Sequence, residues 1–160
     1  MSRRAMIAAI ALAMMAQPAA AQRPDSAMVG AWSGSARVTV DWTQQKMLGV
    51  RLAIYPDGSI TGTVGDATLI DARMRPNRTL LQRMTHLGTD YVIEATLAGD
   101  ILRAENVQRA SVSIPVDWKD GVFTGSIITS GTYDGDKDTM KLTASDLVLR
   151  RALPIVSSIK

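Results

Sequence analysis

One nine-residue pattern occurs twice and limits what this chain can become. Tyr55-Pro56-Asp57-Gly58-Ser59-Ile60-Thr61-Gly62-Thr63 returns 63 residues later as Trp118-Lys119-Asp120-Gly121-Val122-Phe123-Thr124-Gly125-Ser126. The shared pattern is aromatic, any, Asp, Gly, any, large apolar, Thr, Gly, hydroxyl. Each copy predicts a three-residue hairpin loop. Pro56 or Lys119 and then Asp57 or Asp120 form a type I turn, and Gly58 or Gly121 takes the left-handed position where a Cβ would clash. The second glycine, Gly62 or Gly125, lies inside the outgoing strand, where it marks a bulge, a bend or a close backbone approach. Two such hairpins specify a β protein with similar halves and no chemistry.

The flanking residues extend the pattern. Trp32, Gly34, Ala36, Val38, Val40 and Trp42 alternate with Ser33, Ser35, Arg37, Thr39 and Asp41, the period of a half-buried strand. Strands are expected over 47–55, 59–64, 67–74, 89–97, 110–118 and 122–130, with a loop over 98–108. Pro115 cannot donate to a ladder, so an edge or a bulge is expected there. The last strand, over 139–152, changes phase between Ala144 and Leu147, which a bulge near Ser145 or Asp146 reconciles. Between the fourth and fifth strands, Leu80, Leu81, Met84 and Leu87 fall at helical spacing behind Asn77, and Gly88 suits the stop. A short amphipathic helix is expected over 78–87. The fold expected is all-β: an antiparallel barrel of about eight strands with one short helix, a β-sandwich being the alternative.

The first 21 residues stand apart from this fold. Arg3 and Arg4, an apolar run from Met6 to Ala16 and the small residues Ala19-Ala20-Ala21 read as a cleavable signal peptide, with a partial twin-arginine pattern in Ser2-Arg3-Arg4. The expectation is a periplasmic or secreted protein formed by 22–160 as one domain, with no transmembrane segment. Without Arg3 and Arg4, 16 basic residues face 15 acidic ones. A nearly neutral domain is a poor nucleic-acid binder. Seven aromatic side chains offer few stacking platforms for sugars or bases, and the absence of cysteine excludes thiol chemistry.

Gly30-Ala31-Trp32 resembles the Gly-x-Trp that opens the first strand of lipocalins and their calycin relatives. Thr89-Asp90-Tyr91 is similar to the second lipocalin motif, and Arg150 or Arg151 to the late arginine that packs over the first-strand Trp. The resemblance implies a secreted up-and-down barrel carrying a small, usually apolar molecule. It departs from the family in the strands that follow Thr89, in the mid-chain helix and in the missing C-terminal helix. A general similarity to uncharacterised secreted bacterial proteins implies no function.

Little else carries chemistry. His86 is the only histidine, and Glu94 and Glu105 are the only glutamates. A lone His makes neither a triad nor a zinc site, and neither glutamate has an evident carboxylate partner. Asp134-Gly135-Asp136-Lys137-Asp138 resembles the start of a calcium loop, but Thr139 and Ser145 stand where such a loop needs Gly and Glu. No metal, cofactor or catalysis is therefore expected. Arg73, Arg75, Arg78 and Arg83 form a local cationic bias beside Leu80, Leu81, Met84 and Leu87. This stretch could cap a barrel mouth, touch an anionic headgroup or meet a protein partner. The function expected is non-enzymatic binding of a small apolar or amphipathic ligand in a barrel mouth. Leu80, Leu81, Arg83, Met84, Leu87 and Arg78 would surround the ligand, and Trp32 would close the opposite end. The alternative is an interaction or envelope-associated module whose core is filled.

Overall fold

The computed structural model describes residues 24–78, 82, 88–131 and 142–152. Eight strands close an antiparallel barrel: β1 (Gly30–Val38), β2 (Met47–Ile54), β3 (Ser59–Val64), β4 (Ala67–Pro76), β5 (Tyr91–Ala98), β8 (Ser111–Lys119), β9 (Val122–Ser130) and β10 (Thr143–Arg151). Each pairs with its neighbour in this order, and β10 returns to β1. Closure leaves no unpaired edge. The expected barrel is thus the fold, and the sandwich is not. Of the helix expected over 78–87, all but Arg78 and Gln82 lie outside the described residues.

Period-two burial builds the interior. Leu48, Val64, Ile93, Ile114, Val116, Phe123, Leu147 and Leu149 have no accessible surface, and no other residue of the buried core is more than 9% exposed among the described residues. A void able to hold a ligand would leave some of that surface open, so side chains fill the space, as eight strands allow. The small inward residues serve close approach. Ala36 and Ala72 are buried, and a Cβ on Gly34 would strike the Val148 carbonyl of the adjoining strand. Ala110, the first residue of the strand expected over 110–118, precedes β8 and is exposed.

The segment between β5 and β8 is not loop but a small hairpin, β6 (Asp100–Leu102) and β7 (Val107–Gln108), around a 3-10 turn at Arg103–Glu105. Two consecutive apolar residues explain it. Ile101 and Leu102 are fully buried and plug one barrel end. The Glu105 carboxylate fastens this plug to the β1–β2 loop, accepting hydrogen bonds from Thr43 Oγ1 at 2.6 Å and the backbone of Gln44 and Gln45 at 3.0 and 3.1 Å.

The repeated pattern hides two different turns. At Pro56-Asp57 the Gly58 N–H donates to Tyr55 O at 3.0 Å and Gly58 has φ +81°, the expected three-residue loop. In the second copy Lys119 pairs directly with Val122, and both Asp120 (φ 51°) and Gly121 (φ 76°) are left-handed. That is a two-residue type I′ turn. Pro56, which stands where Lys119 does, has no N–H to pair across a two-residue turn, and its φ near −65° suits the first position of a type I turn instead. The inner glycines behave alike: a Cβ on Gly62 would strike the Arg51 carbonyl, and one on Gly125 the Pro115 carbonyl.

Pro115 itself corrects an expectation, because it stands in mid-wall and forms neither edge nor bulge. It pairs with Val92 of β5, while the β8–β9 ladder skips from Ser113↔Ile128 to Val116↔Gly125 without a register shift. In an antiparallel strand each N–H faces one neighbour, so a missing donor interrupts only one ladder. The phase change in β10 is a bulge between Ala144 and Leu147, with Asp146 at φ 54° and ion-paired to Arg37.

Candidate functional site

The Trp32 end of the barrel gathers Trp32, Arg151 and Arg78, three of the residues that the sequence singles out. Trp32 is buried. Its indole N–H donates to Met28 O at 2.8 Å, and its ring meets Trp118 and Phe123 edge-on at 5.3 and 4.9 Å. Arg151, and not Arg150, is the late arginine over it. The guanidinium lies 4.7 Å from the ring centroid and donates to Val29 O and Ala27 O at 3.0 and 2.7 Å.

In an up-and-down barrel every second connection lies at the same end. The β2–β3 hairpin, the β4–β5 connection and the β8–β9 hairpin therefore share the end at which β1 begins. Of the 78–87 stretch, expected to face Trp32 from the opposite end, Arg78 is placed by its contacts, and it lies with Gly88 at the same end as Trp32, Trp118 and Phe123. Leu80, Leu81, Arg83, Met84, Leu87 and His86 lie outside the described residues, as does the 134–138 loop.

Arg78 is described, and it is committed. It ion-pairs with Asp90 at 3.0 Å and Asp117 at 3.1 Å, and its Nε donates to Gly88 O at 2.9 Å. Asp90 of the Thr89-Asp90-Tyr91 motif also accepts the Trp118 N–H, so this cluster pins the β4–β5 connection to β8. Arg75 is likewise engaged, in two hydrogen bonds to Glu94 at 2.9 and 2.7 Å. The cationic bias of 73–83 is thus largely neutralised within the described residues.

A different surface is concave. On the outer wall of β4, β5, β8 and β9 an open depression of about 470 Å³ is lined by Asp71, Glu94, Thr96, Ser111, Ser113, Ile128 and Ser130, with Ala95 and Val112 beneath. Short hydroxyl side chains on β8 form the floor, between longer neighbours on β5 and β9. Ser111 and Ser130 share a hydrogen bond of 2.7 Å across it. Asp71 stands at the rim with φ 53°, on a bulge where the β4–β5 register shifts between Ile70 and Arg73. Bulges re-aim side chains, and Asp tolerates the left-handed region. Its carboxylate has no hydrogen-bond or ion-pair partner among the described residues.

Hydrogen bonds from Arg75 hold the Glu94 carboxyl below its ordinary range, the wrong direction for a general acid. Among the described residues no three His, Asp or Glu side chains are gathered to hold a metal ion. The depression was not foreseen from the sequence, yet its bulge left a signal. Leu69 and Ala72 are both buried, so the inward phase of β4 changes parity at Asp71 as that of β10 does at Asp146. Comparison with protein-family models, with curated proteins and with solved structures returns no match.

Proposed function

We propose that this chain is an exported, non-catalytic binding module that recognises its partner with the outer wall of its barrel, at the Asp71 depression, and not with its interior. One contrast carries the reading. The inward residues are packed and both ends are occupied by the domain's own side chains, while the outer wall presents a concavity with an unpaired carboxylate and four hydroxyls. Side chains of that kind suit a polar ligand bearing an ammonium or guanidinium group. Asp71 would face the cation, and the serines would hydrogen-bond the polar body. The Trp32–Arg151 stack supports a calycin-like relationship for the barrel, but the solid core supports the filled-module alternative over the apolar carrier.

The test is a titration of the isotopically labelled domain with trilysine, followed by amide chemical shifts. Saturable shifts confined to β4, β5, β8 and β9, and lost in Asp71→Asn, are expected. Shifts centred on Trp32 and Phe123, or binding indifferent to Asp71→Asn, would overturn the proposal.

A further inference from the structure

The two Asp–Gly steps of the repeated pattern are chemically alike and structurally unlike. An Asp–Gly step can rearrange without any enzyme. The glycine nitrogen attacks Cγ of the protonated aspartic acid, and a new N–Cγ bond closes a five-membered succinimide. The amide proton and the carboxyl hydroxyl leave as one water. Hydrolysis returns that water. Breaking the N–Cγ bond restores aspartate, whereas breaking the bond from the same nitrogen to the former main-chain carbonyl carbon leaves the chain running through Cγ as isoaspartate. No oxidant, reductant or cofactor takes part. Three things slow the reaction: a glycine N–H that is hydrogen-bonded, a carboxylate held ionised, and a turn that cannot move.

All three hold at Asp57–Gly58. The Gly58 N–H donates to Tyr55 O at 3.0 Å. The Asp57 carboxylate accepts from the Ser59 hydroxyl at 2.6 Å and the Ser59 N–H at 3.0 Å, which holds its carboxyl below the usual range. Gly58 is buried, and its carbonyl accepts the Met74 N–H at 3.4 Å. The contacts that do this at Asp57–Gly58 have no counterpart at Asp120–Gly121 among the described residues. Both residues are exposed, and nothing lies within 4 Å of the position a Gly121 Cβ would take. The Gly121 N–H has no backbone acceptor among the described residues, and the Asp120 carboxylate has no partner there.

We propose that Asp120–Gly121 is a site of spontaneous succinimide and isoaspartate formation in the folded protein, and that the sister step Asp57–Gly58 is protected by its own turn. The site matters to the barrel. Isoaspartate inserts a methylene into a two-residue turn whose strands carry Trp118 and Phe123, the rings packed on Trp32.

The full chain is incubated for weeks at mildly acidic pH and physiological temperature, natively and in concentrated urea. Chymotryptic peptides, which cut after Phe123 and so part Asp120 from Asp134, are then mapped by mass spectrometry with electron-transfer fragmentation. In the native sample isoaspartate at position 120 should exceed that at 57 by about tenfold, because the hydrogen bonds of the Asp57 turn must break before the glycine nitrogen can attack. In urea the two should converge. Equal native rates, or a difference that survives in urea and so belongs to neighbouring residues, would overturn the proposal.

Discussion

Replacing Arg151 tests how the Trp32 end is held. Arg151 and Arg150 are adjacent, both exposed and equally charged, and only Arg151 lies over Trp32. Arg151→Ala removes a cation–π contact worth about 1–2 kcal/mol over a buried ring. It also removes two hydrogen bonds to main-chain carbonyls, each worth about 0.5–1.5 kcal/mol. Solvent around the exposed guanidinium weakens all three, so the expected loss is about 2 kcal/mol. For a domain of this size that is a fall of roughly 8 °C in Tm, or a clear shift in the urea midpoint at unchanged slope. Arg151→Lys keeps the charge but not the planar fork and should fall between. Arg150→Ala, which breaks no described contact, should stay within about 0.5 kcal/mol of the parent. Urea titration followed by tryptophan fluorescence measures all three variants. If Arg151→Ala matches Arg150→Ala, or Arg150→Ala is the costlier, the clamp over Trp32 does not hold this end.

The glycines should divide by what their Cβ would meet. Gly58→Ala and Gly121→Ala each place a side chain at positive φ without a collision, costing about 1–2 kcal/mol. Gly62→Ala, driven into the Arg51 carbonyl, should cost more than about 3 kcal/mol; thermal melts that rank Gly62→Ala as the mildest would refute the close approach. Glu105 sets a pH dependence. The Thr43 hydroxyl and the Gln45 and Gln44 N–H groups hold its carboxyl below the ordinary 4.5. Its contribution is therefore complete above that value and lost as pH falls through the lower folded-state value. Glu105→Gln should flatten the acid limb of a stability–pH profile, and an unchanged limb would place the acid sensitivity elsewhere.

Much of the barrel is legible in the residues because its wall obeys one period. Most inward rows alternate with polar or small residues, so strand limits and facing follow directly, and the parity change at Asp146 announces its bulge. The same signal at Asp71 is harder to see, because Ile70 offers a false apolar continuation and proves to be exposed. The β6–β7 hairpin escapes because two consecutive buried residues, Ile101 and Leu102, show no period. The difference between the two turns depends on what Pro56 forbids and Lys119 allows, not on the pattern they share. The end assignment of Trp32 follows from counting strands, a property of topology that local sequence does not display. The outer depression is the least legible feature: Asp71, Thr96, Ser111 and Ser130 sit on four strands, and only barrel register brings them together.

The most direct test of a filled, doubly closed barrel is a titration of the domain with a long-chain fatty acid, read by tryptophan fluorescence and calorimetry. An acyl chain entering an apolar interior would gain about 0.8 kcal/mol per buried CH₂, and Trp32, Trp118 and Phe123 would have to separate to admit it. The account predicts no saturable heat and no quenching. Stoichiometric micromolar binding with quenched tryptophan emission would contradict it, and would place the binding site inside the barrel.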